Sequence, residues 1–341
     1  MKRIFLLAAA TFFALGMTAG ASAQNKPDGG NAQFRVQEYT GSILGIPMWV
    51  AIDKGFCKKY NLRCATVRLP SGPLALQALA AGSIQASFAS NDVNLMAASR
   101  GNDIQLVVGH TPTIYYHLDV RKGYPMPNRD KGFPAFMKDF SGAKVGVTAR
   151  GSGVEMLFRA LMKSDGLTGN EVTYVAVGSP ATSYPTMLAG KIDATVSFEP
   201  FNTLCVAEKT CVDLMDLSRQ GPPDMLAMNG GYASFAMARE YVEKHPNVVK
   251  AFIAAIEDAD AWIKDPKNFD ELLADTRKHI SLGDIQNANE VMAQLVKGQV
   301  KSVGPAIERR SVDAVSDFLV KYGLIQNPVS SSSVVYAGAP K

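Results

Sequence analysis

Residues 79–86 (LAAGSIQA) and 188–194 (LAGKIDA) nearly coincide, and each stands at the same point of a larger repeated plan. In the first copy, residues 34–39 (FRVQEY) alternate like a strand and lead into the loop 40–42 (TGS). A helix is expected over 47–60, opened by Pro47, with Trp49, Ile52 and Phe56 near one face. A strand over 64–69 then ends in 70–73 (PSGP), a helix over 74–81 stops at Gly82, and a strand covers 84–88. The second copy opens with a strand over 144–148 (KVGVT) and the loop 149–153 (ARGSG). Its helix carries Met156, Leu157, Ala160 and Leu161. A strand over 173–177, the loop 178–180 (GSP) and a strand over 192–198 complete it.

Strands alternating with helices specify an α/β protein whose sheets are mostly parallel and flanked by helices. Two copies specify two similar lobes. One continuous sheet is the plainer alternative, and the Pro/Gly-rich stretch 123–134 between the copies argues against it. From about residue 238 the pattern turns helical. Phe252, Ile256, Ala259 and Ile263 form one apolar stripe, and Val312, Val315, Leu319 and Tyr322 form another that ends at Gly323. The four serines at 330–333 read as a poorly ordered tail.

Residues 1–23 read as a signal peptide: Lys2 and Arg3, an apolar run over 4–17, and the small-x-small site Ala21-Ser22-Ala23. The run is short for a membrane anchor, and no Cys follows for lipid attachment. Removing Lys2 and Arg3 leaves 33 basic against 31 acidic side chains, which gives nucleic acid no electrostatic footprint. Export to an oxidising compartment makes disulfides the ordinary reading of the four cysteines. Pairing near neighbours, Cys57 with Cys64 and Cys205 with Cys211, is the simplest of the three connectivities. A zinc site is the alternative, but neither pair is C-x-x-C and no His is adjacent.

The run 41–47 (GSILGIP), then 51–56 (AIDKGF) and 76–82 (LQALAAG), resembles the nitrate/sulfonate/taurine-type substrate-binding proteins of ABC importers. That family also includes binders of thiamine-pyrimidine precursors. Residues 144–147 (KVGV), 187–190 (MLAG) and 198–200 (FEP) match its second half. The resemblance implies a type II periplasmic-binding protein fold, two lobes joined by two crossover strands. The crossovers fall near residues 110–119 and 231–237. The first lobe is then 34–112 with 236–341, and the second is 113–235. A monomeric periplasmic protein that carries a small molecule to an inner-membrane ABC importer permease is what the resemblance implies, with no cofactor.

In open α/β sheets a ligand sits beyond the carboxyl ends of the strands, where loops enter helices. Here those loops hold Tyr39, Thr40, Gly41, Ser42, Ser71, Gly72, Ser90, Asn91, His110 and Thr111 from the first lobe. The second lobe supplies Thr148, Arg150, Gly151, Ser152, Gly178, Ser179, Phe198 and Glu199. Glycine lets a ligand approach the backbone, hydroxyls give adaptable hydrogen bonds, and helix starts favour anions. The same residue types are equally ordinary turns and caps. Arg150 could pair with a carboxylate or sulfonate, or with Glu155. Tyr39 and Phe198 could stack on a ring or simply pack, and His110 could serve the cleft or the hinge. Glu199 opposes an anionic ligand unless it meets Arg150 or a ligand amine.

A small organic anion, carboxylate or sulfonate and possibly aromatic, is the first expectation for the ligand; a nitrogen heterocycle or pyrimidine precursor is the second. An enzyme of the same fold or a sensory binding protein are the other classes. No G-x-S-x-G, Walker A or H-E-x-x-H motif occurs, and His110, His117, His245 and His279 lack metal spacing. Neither catalytic nor metal-ligating residues are expected.

Overall fold

The computed structural model describes residues 26–341, so the expected signal peptide lies outside the described residues. In the first lobe, strand β1 (Ala32–Glu38) is followed by helix α1 (Ile46–Asp53) and strand β2 (Leu62–Arg68). Gly55, at φ 74°, breaks the single helix expected over 47–60 into α1 and a short turn, Phe56–Lys59. Helix α2 (Gly72–Ala80) starts where the Ser71 hydroxyl accepts the Leu74 N–H, and β3 (Ser87–Ser90), α3 (Asn91–Ser99) and β4 (Ile104–Thr111) follow.

The chain then crosses over at residues 112–116 into β5 (His117–Arg121). The second lobe repeats the plan: β6 (Lys144–Val147), α4 (Gly153–Lys163), β7 (Thr173–Ala176), α5 (Pro180–Leu188), β8 (Ala194–Ser197), α6 (Phe201–Ala207) and β9 (Cys211–Asp216). A return crossing brings β10 (Ala233–Ala238) back to the first lobe, where α7 (Pro246–Lys264), α8 (Ala288–Ser302) and α9 (Arg309–Lys321) close the fold.

The second sheet runs β7-β6-β8-β5-β9. The first has the matching order: β2 pairs β1, a parallel bridge from Val36 to Ala86 joins β1 to the segment entering β3, and β3-β10-β4 continues it. One strand in each sheet is antiparallel, β10 in the first and β5 in the second. Both are the strands that arrive from the other lobe, and a chain entering from across the cleft runs opposite to strands whose carboxyl ends point toward it. This is the two-lobed, mostly parallel architecture that the repeat specifies, with the two crossover strands that the resemblance implies.

Two boundaries differ from expectation. β10 already pairs with Ser90 and Thr111 at Ala233, three residues before the expected lobe boundary at 236. The serine run is no loose tail: Ser331–Val334 is helical, Ser331 donates both its N–H and its hydroxyl to Asp313, and Val335 bridges Leu106. The sequence pattern hides this because the anchoring Asp313 sits on a different helix.

The stripe residues Phe252, Ile256, Ala259 and Ile263 are all buried, as are Val312, Val315 and Leu319. No described helix is long and apolar enough to cross a membrane. Cys57 is bonded to Cys64 and Cys205 to Cys211, closing sequence separations of 7 and 6 residues. Loops this short restrict the unfolded chain by about 2 kcal/mol per bridge. The paired change Cys205→Ser with Cys211→Ser should therefore lower unfolding free energy by about that amount in urea titration. An unchanged midpoint would contradict it.

Candidate functional site

The strand-end loops of the two lobes face each other across one cleft. Ser179 donates its hydroxyl to the Thr40 carbonyl at 2.7 Å, and Ser42 donates to the Glu199 carbonyl at 3.0 Å. The backbones approach where only glycine fits. A Cβ on Gly41, which also has φ 68°, would lie 2.7 Å from the Ala181 Cβ. One on Gly153, the first residue of α4, would lie 2.7 Å from the Ser90 hydroxyl and 3.0 Å from the Asp92 carboxylate. Tyr39 and Phe198 meet with ring centroids 5.4 Å apart. Real side-chain carbons do not approach so closely, so closure depends on these glycines.

Several expected residues are engaged within their own lobe. Asn91 donates to the Gly231 carbonyl at 2.6 Å and to Ser234 at 3.1 Å. His110 spends both ring nitrogens, one on the Leu44 carbonyl and one on the Thr111 hydroxyl, each at 2.7 Å, and stacks on Phe88 at 3.8 Å. Burial lowers its pKa to about 3, so the ring is neutral and holds structure at the crossover. Arg150 is largely exposed and pairs with Glu155 at 3.0 Å, the alternative that its position allowed. Gly151, at φ 73°, donates its N–H to the same carboxylate at 2.9 Å. Thr148 is half-buried at the end of β6, and Gly72 lies where a Cβ would be 3.4 Å from the Tyr39 hydroxyl. Gly178, at φ 74°, turns β7 toward the cleft, its absent Cβ 3.7 Å from Pro70. Ser152 is different: it is 2% exposed at the start of α4, and its hydroxyl has no hydrogen-bond partner among the described residues.

The crossovers add residues that sequence reasoning missed. Tyr115 and Tyr116 from the first crossing pack against Phe198 with centroid distances of 6.3 and 5.9 Å, and Tyr232 from the return packs against the two tyrosines at 5.7 and 6.1 Å. Tyr232 donates its hydroxyl to the buried Asp92 carboxylate at 3.2 Å. Burial raises the Asp92 pKa, opposed by hydrogen bonds from Ser90, the Val93 N–H and Tyr232. Burial also holds the Tyr39, Tyr115 and Tyr232 hydroxyls protonated, well above their ordinary range. The Tyr115-Tyr116 pair and the Gly231-Tyr232 step were visible signals, sitting where the crossings were expected.

Beside Tyr115 the lobes leave a cavity of about 500 Å³, lined by His117, Glu199 and Thr203 from the second lobe and by Gln299 and Lys301 on α8. Glu199 accepts the Thr203 N–H at 3.0 Å and the Thr203 hydroxyl at 2.8 Å; burial still raises its pKa. His117 bonds Asp213 at 3.1 Å. Burial lowers the His117 pKa, but that bond and the charges of Asp213, Asp119 and Glu199 outweigh it and push the pKa up to about 9. Asp119 takes hydrogen bonds from Ser197 and Asn202, and its burial pushes it up to about 7.

A family model described as the NMT1-like family matches residues 44–275. The chain belongs to the NMT1-like family. A Brucella abortus strain 2308 relative carrying the name "Putative binding protein" is 26% identical over 236 residues, which cover 66% of this chain and 64% of that relative. The match thus falls just short of two thirds of the relative's length. Among solved structures, the alkanesulfonate-binding protein SsuA of Xanthomonas axonopodis bound to MOPS superposes with TM-score 0.69 at 17% identity, over 89% of this chain and 98% of its own. The periplasmic nitrate-binding protein NrtA of Synechocystis PCC 6803 gives 0.67 at 14%, over 89% and 86%. These likenesses show the periplasmic-binding fold. The desulfurization enzyme DSZB shares it at TM-score 0.56 and 16% identity over 91% and 96%, so the fold alone does not separate binder from enzyme.

Two outcomes test this geometry. Gly153→Leu should prop the lobes apart, seen as a larger radius of gyration in small-angle scattering; an unchanged radius would contradict the contact. His117 has its pKa raised from 6.5 to about 9, so its ion pair stabilises fully below pH 6.5 and is lost as pH rises through 9. The melting temperature should fall across that window more steeply than in His117→Gln. Parallel profiles would contradict it.

Proposed function

We propose that the chain is the periplasmic substrate-binding component of an ABC importer, holding a small organic solute between its lobes for an inner-membrane permease. The family match and the relatives named as binding proteins support this reading over an enzyme. In it, residues 34–112 and 233–341 move as one lobe and the chain between the crossings as the other, with the return crossing ending at Tyr232. Closure by hinge bending would place opposed loops around the solute.

The observation that carries the ligand class is the pair of carboxylates, Asp92 and Glu199, facing an aromatic cluster with no Lys or Arg bonded to either among the described residues. A buried carboxylate, Asp92, and a half-buried one, Glu199, disfavour a simple anion and suit a solute with N–H groups, its flat or apolar part lying against Tyr115 and Phe198. This favours the nitrogen-bearing alternative over the bare carboxylate or sulfonate. The second reading, an acidic group at the start of α4, is favoured by the unpartnered Ser152 hydroxyl. Tyr39, Thr40, Ser42, Ser90, Ser152, Ser179, Phe198 and Glu199 remain the proposed contact set, joined by Asp92, Tyr115 and Tyr232.

A thermal-shift screen of amines, nitrogen heterocycles, carboxylates and sulfonates tests the proposal. A solute at 100 times its Kd stabilises the folded state by about 2.7 kcal/mol, a readily measured shift. A hit among the nitrogen-bearing solutes is expected, weakened by Glu199→Gln. A screen in which nothing shifts the melting temperature would sink the binding function. One in which only sulfonates or simple carboxylates bind would sink the ligand class.

A further inference from the structure

Helix α8 carries a glycine, Gly298, well inside its span, where glycine costs helix stability relative to alanine. No packing contact requires it: nothing lies within 4 Å of where its Cβ would stand. Gly298 is exposed on α8 and lines the cavity beside Tyr115. The next residue, Gln299, is 5% exposed and lines the same cavity, and its side-chain amide nitrogen has no hydrogen-bond partner among the described residues. A buried donor left unmet costs stability, so both residues sacrifice stability on one wall of one space.

The opposite wall carries Glu199 and Asp216 together with His117 and Arg219. Glu199 faces the cavity with no ion-pair partner among the described residues, since His117, the cation acting on it, is bound to Asp213. Lys301 stands on the α8 side, and Asp216 in the lining is already met by Arg219 and Ser218. What remains unmatched is a negative group on the second lobe, and a donor with a positive group on the first. We infer that this cavity holds a small zwitterion of the amino-acid class, its ammonium at Glu199 and its carboxylate at Gln299 and Lys301. A solute charged at both ends draws the two lobes together, and Gly298 leaves the room it occupies. The inference rests on the binding function proposed above, narrows the nitrogen-bearing solute to one that also carries a carboxylate, and seats it at the Glu199 and Tyr115 end of the proposed contact set.

Isothermal titration calorimetry on the full chain, free of its expected signal peptide, with each of the common L-amino acids as probe, tests it. At least one should bind, and its deaminated acid and its decarboxylated amine should each bind at least tenfold more weakly. Gln299→Leu should weaken that amino acid at least tenfold. Gly298→Leu should abolish its binding while leaving the melting temperature unchanged or raised, because the helix gains a better former and no packing is lost. Failure of every amino acid to bind, equal binding of the deaminated acid, or undiminished affinity in Gly298→Leu would overturn the inference. If amino acids fail while another solute shifts the melting temperature, only this inference falls; if no solute does, the binding function falls with it.

Discussion

Everything in this molecule turns on two places where the lobes touch at glycine. Gly41 meets Ala181 and Gly153 meets Ser90 and Asp92 at separations that exclude a side chain on either glycine. These contacts bring the carboxyl ends of two sheets together and place the hydroxyls of Ser42 and Ser179 on the opposing backbones. They also bury Asp92 against the first turn of α4, where the positive end of the helix favours a carboxylate. Closure therefore joins polar and steric matching at the glycines to the aromatic contact of Tyr39 with Phe198.

The two crossings serve a second purpose besides joining the lobes. Each delivers an antiparallel strand into the far sheet and places tyrosines at the centre of the cleft. Tyr115 and Tyr116 come from one crossing and Tyr232 from the other, so any rotation at the hinges moves the aromatic floor as well. His110 keeps the hinge end in register by holding the Leu44 carbonyl while neutral.

The fold was legible in the sequence because it is written twice. The near-identical phrases around Gly82 and Gly190 reveal the repeat, and alternation marks most of the parallel strands. Strands β4, β5, β9 and β10 were harder, since they complete each sheet through pairing with segments far away in sequence. The loops that form the cleft were legible for the same reason as the strands: they follow strand ends. Which of their residues stay free was not. Arg150 could meet a ligand or Glu155 and it meets Glu155, while Asn91 and His110 are held by partners distant in sequence. Asp92, Glu199 and Gln299 gain their significance from burial and from what does not bond to them, and neither property has a sequence signature.

On the proposed function, the lobes are rigid bodies that close on a solute at these contacts. Leu74 on α2 and Leu188 on α5 are both exposed and lie on opposite lobes, and all four cysteines are in disulfides. Spin labels attached at these two positions through non-cysteine chemistry would report the interlobe distance by pulsed dipolar spectroscopy. A shorter and narrower distribution on adding a bound solute is the result expected. A distribution that is identical with and without that solute would contradict closure as the basis of function.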